Sequence, residues 1–90
     1  MAITIRLATQ LRAHVQGREE VTAVGETVRA VLDDVDRQYP GFKDQVLGEK
    51  GVKRHLNVFV NEDDIRFLES LDTALRDRDV LTIMAAVAGG

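Results

Sequence analysis

Cysteine is absent from this 90-residue chain. With it go thiolate nucleophiles, persulfides on a side chain, iron–sulfur clusters and cysteine-based zinc sites. Serine occurs once, as Ser70, and histidine twice, as His14 and His55. A Ser/His/Asp triad is hard to assemble from that inventory, and the histidines lack the H-E-x-x-H spacing of a zinc helix, so they read as surface loop residues. No apolar run approaches the ~20 residues of a membrane span, and the opening stretch, with Arg6 and Arg12, has no signal-peptide core. A soluble, cytoplasmic protein with no membrane partner is expected. Excess charge of one sign is also small: 12 Lys and Arg against 15 Asp and Glu give a net charge of −3. That balance repels a phosphate backbone and argues against nucleic acid as a partner.

What is present suits one compact domain, since 44% of residues are hydrophobic and 30% charged. Residues 3–7 alternate with period two, a half-buried strand with Ile3, Ile5 and Leu7 inward. Beyond Gly17 the alternation resumes with Val21 and Ala23 on one face, so a hairpin joins two strands. Val28, Val31, Leu32, Val35 and Tyr39 then form one helical stripe, with Thr27 as N-cap and Pro40-Gly41 as terminator. Residues 41–55 contain three glycines and read as a long connection, apart from a turn of helix at 43–47. Leu56, Val58 and Val60 define another strand, and Asn61-Glu62-Asp63-Asp64 turns it into a short one at Ile65-Arg66. Leu68, Leu71 and Leu75 pack a loop, and Leu81 and Ile83 point inward along a last strand. A hairpin, a helix and strands returning to the same sheet make an α+β domain in β-grasp order, with a mixed sheet of four or five strands and one helix across one face. The expected division is a domain over residues 1–84 and a flexible tail over residues 85–90.

Three further features bear on chemistry. Lys50, Lys53, Arg54 and His55 form a basic cluster, flanked by Gly48 and Gly51, which reads as a solvated loop rather than a phosphate or acidic-partner contact. Glu62-Asp63-Asp64 lacks the ligand spacing of an EF-hand loop and reads as a hairpin turn rather than a cation site. The chain ends Ala86-Val87-Ala88-Gly89-Gly90. Two residues without Cβ suit a tail that threads a narrow active site and presents a bare carboxylate, and six extended residues reach about 20 Å.

The chain resembles the ubiquitin-like sulfur carriers of bacteria and archaea, the ThiS, MoaD and CysO types, and the CysO type most. The resemblance runs through Leu11-Arg12-x-His14 and Gly17, Gly25-x-Thr27, Asn57-Val58-x-Val60-Asn61, Asp64-x-Arg66-Phe67 and the terminal Gly89-Gly90. Many family members carry proline two residues before the tail valine, where this chain has Ala85. The resemblance implies that an ATP-dependent activating enzyme adenylates the Gly90 carboxylate, with Gly89 beside it, and that a sulfur donor converts it to a thiocarboxylate. It implies a cosubstrate rather than an enzyme, with no metal and no cofactor of its own. The implied partners are the activating enzyme and a sulfur-accepting synthase, foremost in cysteine synthesis from O-phosphoserine. The alternatives are the small subunit of molybdopterin synthase and a ubiquitin-like modifier.

Strand parity adds a docking surface to this picture. With Val58, Val60, Leu81 and Ile83 facing the helix, Phe59, Thr82 and Met84 face away. Phe59 and Met84, with Arg6 at the rim and Val87 and Ala88 of the tail, are the expected contacts of the activating enzyme.

Overall fold

In the computed structural model, which describes residues 2–86, the first strand β1 (Ala2–Leu7) buries Ile3, Ile5 and Leu7, leaving Thr4 half-buried and Arg6 exposed on the other face. It runs antiparallel to β2 (Glu20–Val24), with Ile5 opposite Val21. The connection between them is more than a hairpin loop. Helix α1 (Thr9–Arg12) and a 3₁₀ turn at Ala13–Val15 plug Leu11 and Val15 into the core.

Helix α2 (Val28–Gln38) follows the sequence expectation closely. Thr27 is its N-cap, the hydroxyl accepting from the Ala30 N–H at 3.1 Å, and Val28, Val31, Leu32 and Val35 are all buried. The corner before it needs Gly25, because a Cβ there would stand 2.8 Å from the Val31 nitrogen. The helix ends where Tyr39 N–H bonds the Val35 carbonyl at 2.8 Å, one residue before Pro40.

Residues 41–55 correct the expectation of a long connection. The turn of helix expected at 43–47 is helix α3 (Phe42–Val46), and it is followed by an unexpected small hairpin of β3 (Leu47–Gly48) and β4 (Gly51–Val52). Phe42 and Val46 are wholly buried, one helical turn apart. Asp36 of α2 fixes the start of α3, its Oδ1 accepting from the N–H groups of Gly41 and Lys43 at 3.2 and 3.0 Å.

The chain then enters β5 (Leu56–Val60), turns through Asn61 and Glu62 into the two-residue β6 (Asp63–Asp64), and passes two 3₁₀ turns, Ile65–Phe67 and Ser70–Asp72. Leu71 and Leu75 are buried as expected, but Leu68 is 41% exposed. It lies just past the end of the first 3₁₀ turn, so Ile65 is that turn's inward residue and Leu68 is left outside.

The last strand, β7 (Val80–Ala85), slots between β1 and β5. The sheet order is β2-β1-β7-β5-β6, with β1 and β7 parallel and the other pairs antiparallel. This is the β-grasp arrangement, and Ile3, Ile5, Leu7, Val28, Val31, Leu32, Val35, Leu56, Val58, Val60, Leu81 and Ile83, read from the apolar phases, are all buried, with Tyr39 partly so. The ladder continues to Ala85 opposite Leu56, and Ala86 N–H bonds the His55 carbonyl at 2.8 Å, so strand pairing covers two residues assigned to the tail. Among the described residues, no helix is long and apolar enough to cross a membrane.

Candidate functional site

A five-stranded sheet with its helix on one side leaves the other side open, and alternation decides which side chains stand there. Along β7, Leu81 and Ile83 are wholly buried under α2, while Met84 is 46% exposed on the opposite face. Along β5, Val58 and Val60 are buried and Phe59 between them is half-buried.

Register then sets the neighbours. Thr82 pairs with Arg6 on one side and Phe59 on the other, so these three stand in one row across the sheet. Met84 pairs with Asn57, one step nearer the point where the chain leaves the sheet. Phe59 and Met84 are therefore diagonal neighbours, roughly 7–8 Å apart and within reach of each other's side chains. Arg6 is exposed at the rim and leans toward Glu20 at 3.8 Å, a bridge between solvent-exposed groups that contributes about 0–1 kcal/mol and leaves the guanidinium free to change partners. Thr82 occupies the middle of the row, a position that parity reveals but to which the sequence reading gave no role.

The exit from the sheet is held on both sides. Ala8 N–H bonds the Ile83 carbonyl at 2.8 Å, carrying the β1 pairing past Leu7, and the His55 carbonyl holds Ala86. Val87, Ala88, Gly89 and Gly90, the tail residues singled out in the sequence and expected to be exposed, lie outside the described residues.

The remaining candidates form no second chemical centre. Ser70, at φ 51°, makes no hydrogen bond to either histidine, and His14 and His55 are both exposed. Among the described residues, no three His, Asp or Glu side chains converge as a metal site. The acidic turn is committed to structure: Asp64 accepts from the Arg66 backbone N–H at 2.9 Å and from its guanidinium at 2.8 Å. The Arg66 side chain, aided by its backbone N–H and charge, holds the Asp64 carboxyl below the usual 3.8, against the opposing effect of burial.

Comparison with known proteins is consistent over the length of the chain. The sequence model of the ThiS family matches residues 5–90. The sulfur carrier protein CysO of Mycobacterium tuberculosis is 38% identical over 93 residues that cover all of both chains. The small archaeal modifier protein 3 of Haloferax volcanii is 34% identical over 64 residues, 71% of this chain and 70% of that one. Among solved structures, the Amycolatopsis orientalis BexX/CysO complex contains a chain that superposes with a TM-score of 0.90 at 41% identity, covering 98% of this chain and 99% of that one.

Proposed function

Since the chain belongs to the ThiS family, we propose that it is a sulfur carrier that holds its sulfur on the main-chain carboxylate of Gly90. The observation that carries this reading is the 38% identity to a sulfur carrier across the whole of both chains. The chemistry explains why no thiol is needed. A carboxylate is a poor electrophile, so an ATP-using enzyme first joins it to AMP and releases pyrophosphate. A sulfur nucleophile at the oxidation level of sulfide then attacks the acyl carbon and expels AMP, leaving a thiocarboxylate. The carrier contributes the reacting group and the shape that delivers it. It needs no cofactor of its own.

Delivery gives the open sheet face its role. Met84 is the last outward residue of β7 before the chain leaves the sheet, so an enzyme seated on Met84, Phe59 and Thr82 stands beside the start of residues 87–90. Arg6 supplies a charge at the rim, and Val87 and Ala88 enter the partner ahead of Gly89. A CysO chain has been crystallised together with BexX, which makes complex formation a property of a similar protein. The sulfur is assigned to cysteine synthesis from O-phosphoserine on the strength of the CysO relationship.

The similarity to a small archaeal modifier protein supports a second reading, in which Gly90 is joined to a lysine of another protein. Intact mass spectrometry of the protein purified from its own cell separates the two. One oxygen exchanged for sulfur is expected on the free chain, and a population found only as lysine conjugates would reverse the order of the readings. Deleting Gly90 is expected to abolish sulfur loading while leaving the melting temperature nearly unchanged; a truncated chain that still acquires sulfur would refute the mechanism. Phe59→Glu and Met84→Glu are each expected to cut ATP-dependent adenylation by at least about tenfold in folded protein, the usual weight of a central interface residue. Normal adenylation of both would move the docking surface elsewhere.

A further inference from the structure

The basic stretch at residues 50–54 is one wall of a cleft. The β3–β4 hairpin forms that wall, the segment 64–72 forms the other, and Leu56, Asn57 and Val58 of β5 line the space between, a volume of about 670 Å³. Five cations border it, Arg29, Lys50, Lys53, Arg54 and Arg66, in a chain whose net charge is −3. Only three carboxylates face them, and two are already engaged: Asp64 with Arg66 at 2.8 Å and Asp72 with Arg29 at 3.3 Å. Lys50, Lys53 and Arg54 enter no ion pair among the described residues. They concentrate positive charge on the hairpin wall, and the rest of the molecule carries a larger acidic excess than the chain as a whole.

The shape of this charge selects its ligand. Arg29 and Arg66 are each held by a carboxylate, at 3.3 and 2.8 Å, so the two walls do not both offer free cations to close on one small anion. The cations are instead spread along an open cleft, which suits several negative charges on an extended chain. A polynucleotide running beyond the cleft would meet the acidic remainder of the surface, whereas a short acidic peptide would not. Next in sequence to Arg66, though not among the residues lining the cleft, Phe67 is 85% exposed and Leu68 41% exposed. An aromatic ring left in water one residue from a cleft-lining arginine offers an apolar anchor to a peptide that extends past the cleft.

We infer that the cleft between the β3–β4 hairpin and residues 64–72 binds an acidic segment of a partner protein, its carboxylates on Lys50, Lys53 and Arg54 and an apolar side chain against Phe67. The site needs neither Gly90 nor the sulfur it is proposed to carry. Leu56 and Val58 point to the helix side of β5 and Phe59 points away, while Asn57, opposite Met84, is where the cleft and the open sheet face adjoin.

The test is an NMR titration of the full isotope-labelled chain with a terminally blocked peptide of six glutamates around one leucine. Amide shifts are expected to cluster at residues 48–57 and 64–72, and affinity is expected to fall about tenfold or more between low salt and several hundred millimolar, as screening demands. Lys50→Glu, Lys53→Glu and Arg54→Glu combined should abolish the shifts with the melting temperature preserved. The corresponding glutamine triple variant should weaken them about tenfold, and it decides the matter if the glutamate variant misfolds. Phe67→Ala should weaken binding several-fold. Shifts confined to the sheet face, or none at low salt, would overturn the inference. So would tighter binding of an oligonucleotide of equal charge, or displacement of the peptide by an equal concentration of pyrophosphate.

Discussion

Asp34 ties α2 to the strand before it. Its Oδ2 accepts from the Val24 N–H at 3.0 Å, and its carboxylate also takes hydrogen bonds from Arg37 and Gln38. Val24 first, then Arg37 and Gln38, hold the carboxyl below its ordinary 3.8, against the upward push of burial. A depressed value in the folded state means that the stabilisation is complete above the unfolded value and is lost as pH falls through the folded one. Melting curves of wild type and Asp34→Asn should therefore differ most near neutrality and converge in acid, below the ordinary carboxylate range. A gap that persists unchanged into acid would show that Asp34 acts through packing instead. Gly25 makes a second single-residue prediction. Gly25→Ala drives a methyl group against the backbone of Ala30 and Val31, the nearest atom at 2.8 Å, and should cost about 1–3 kcal/mol in denaturant unfolding. A variant as stable as wild type would mean that the corner shifts freely.

At the scale of elements, length governs what periodicity can reveal. The stripe of α2 repeats across eleven residues, enough for a 3.6-residue period to declare itself, and the alternation of β1, β5 and β7 assigns inward and outward residues without ambiguity. Helix α3 spans five residues. One apolar pair, Phe42 and Val46, marks a turn of helix at 43–47 to within one residue, but it does not show that both side chains are core, and three nearby glycines hid the hairpin that follows. The same shortness hid Leu11 and Val15. The open sheet face was legible because parity alone places Phe59, Thr82 and Met84. The basic cleft was not, because it exists only once residues 47–53 and 64–72, far apart in the chain, are packed against a common strand. Burial converts this short helix into a measurable claim. Phe42→Ala should destabilise by about 3–5 kcal/mol, as removal of a wholly buried ring does, whereas Phe67→Ala should stay within about 0.5 kcal/mol. Equal costs in equilibrium unfolding would contradict this packing.

For the molecule as a whole, the two edges of the sheet are managed differently. On the β2 edge the Asp34 carboxylate covers the Val24 N–H and the Gln38 amide donates to the Thr22 carbonyl at 3.0 Å, so α2 occupies groups that would otherwise recruit another strand. The opposite edge is the two-residue β6, too short to template pairing. Among the described residues, the open face offers a partner Phe59 and Met84 amid polar neighbours, and the basic cleft offers charge.

The position of β7 carries a consequence for biosynthesis. The last strand fills the middle of the sheet, its parallel pairing with β1 joining the two ends of the domain. An incomplete polypeptide still attached to the ribosome lacks its central strand and keeps the inner faces of β1 and β5 in water. The core closes only after residues 80–85 have emerged, and that late, long-range pairing is the slow kind. If an activating enzyme reads the sheet face at Met84, as proposed above, that face exists for it only on a chain whose last strand is already paired, so the order of the strands would withhold unfinished chains from it.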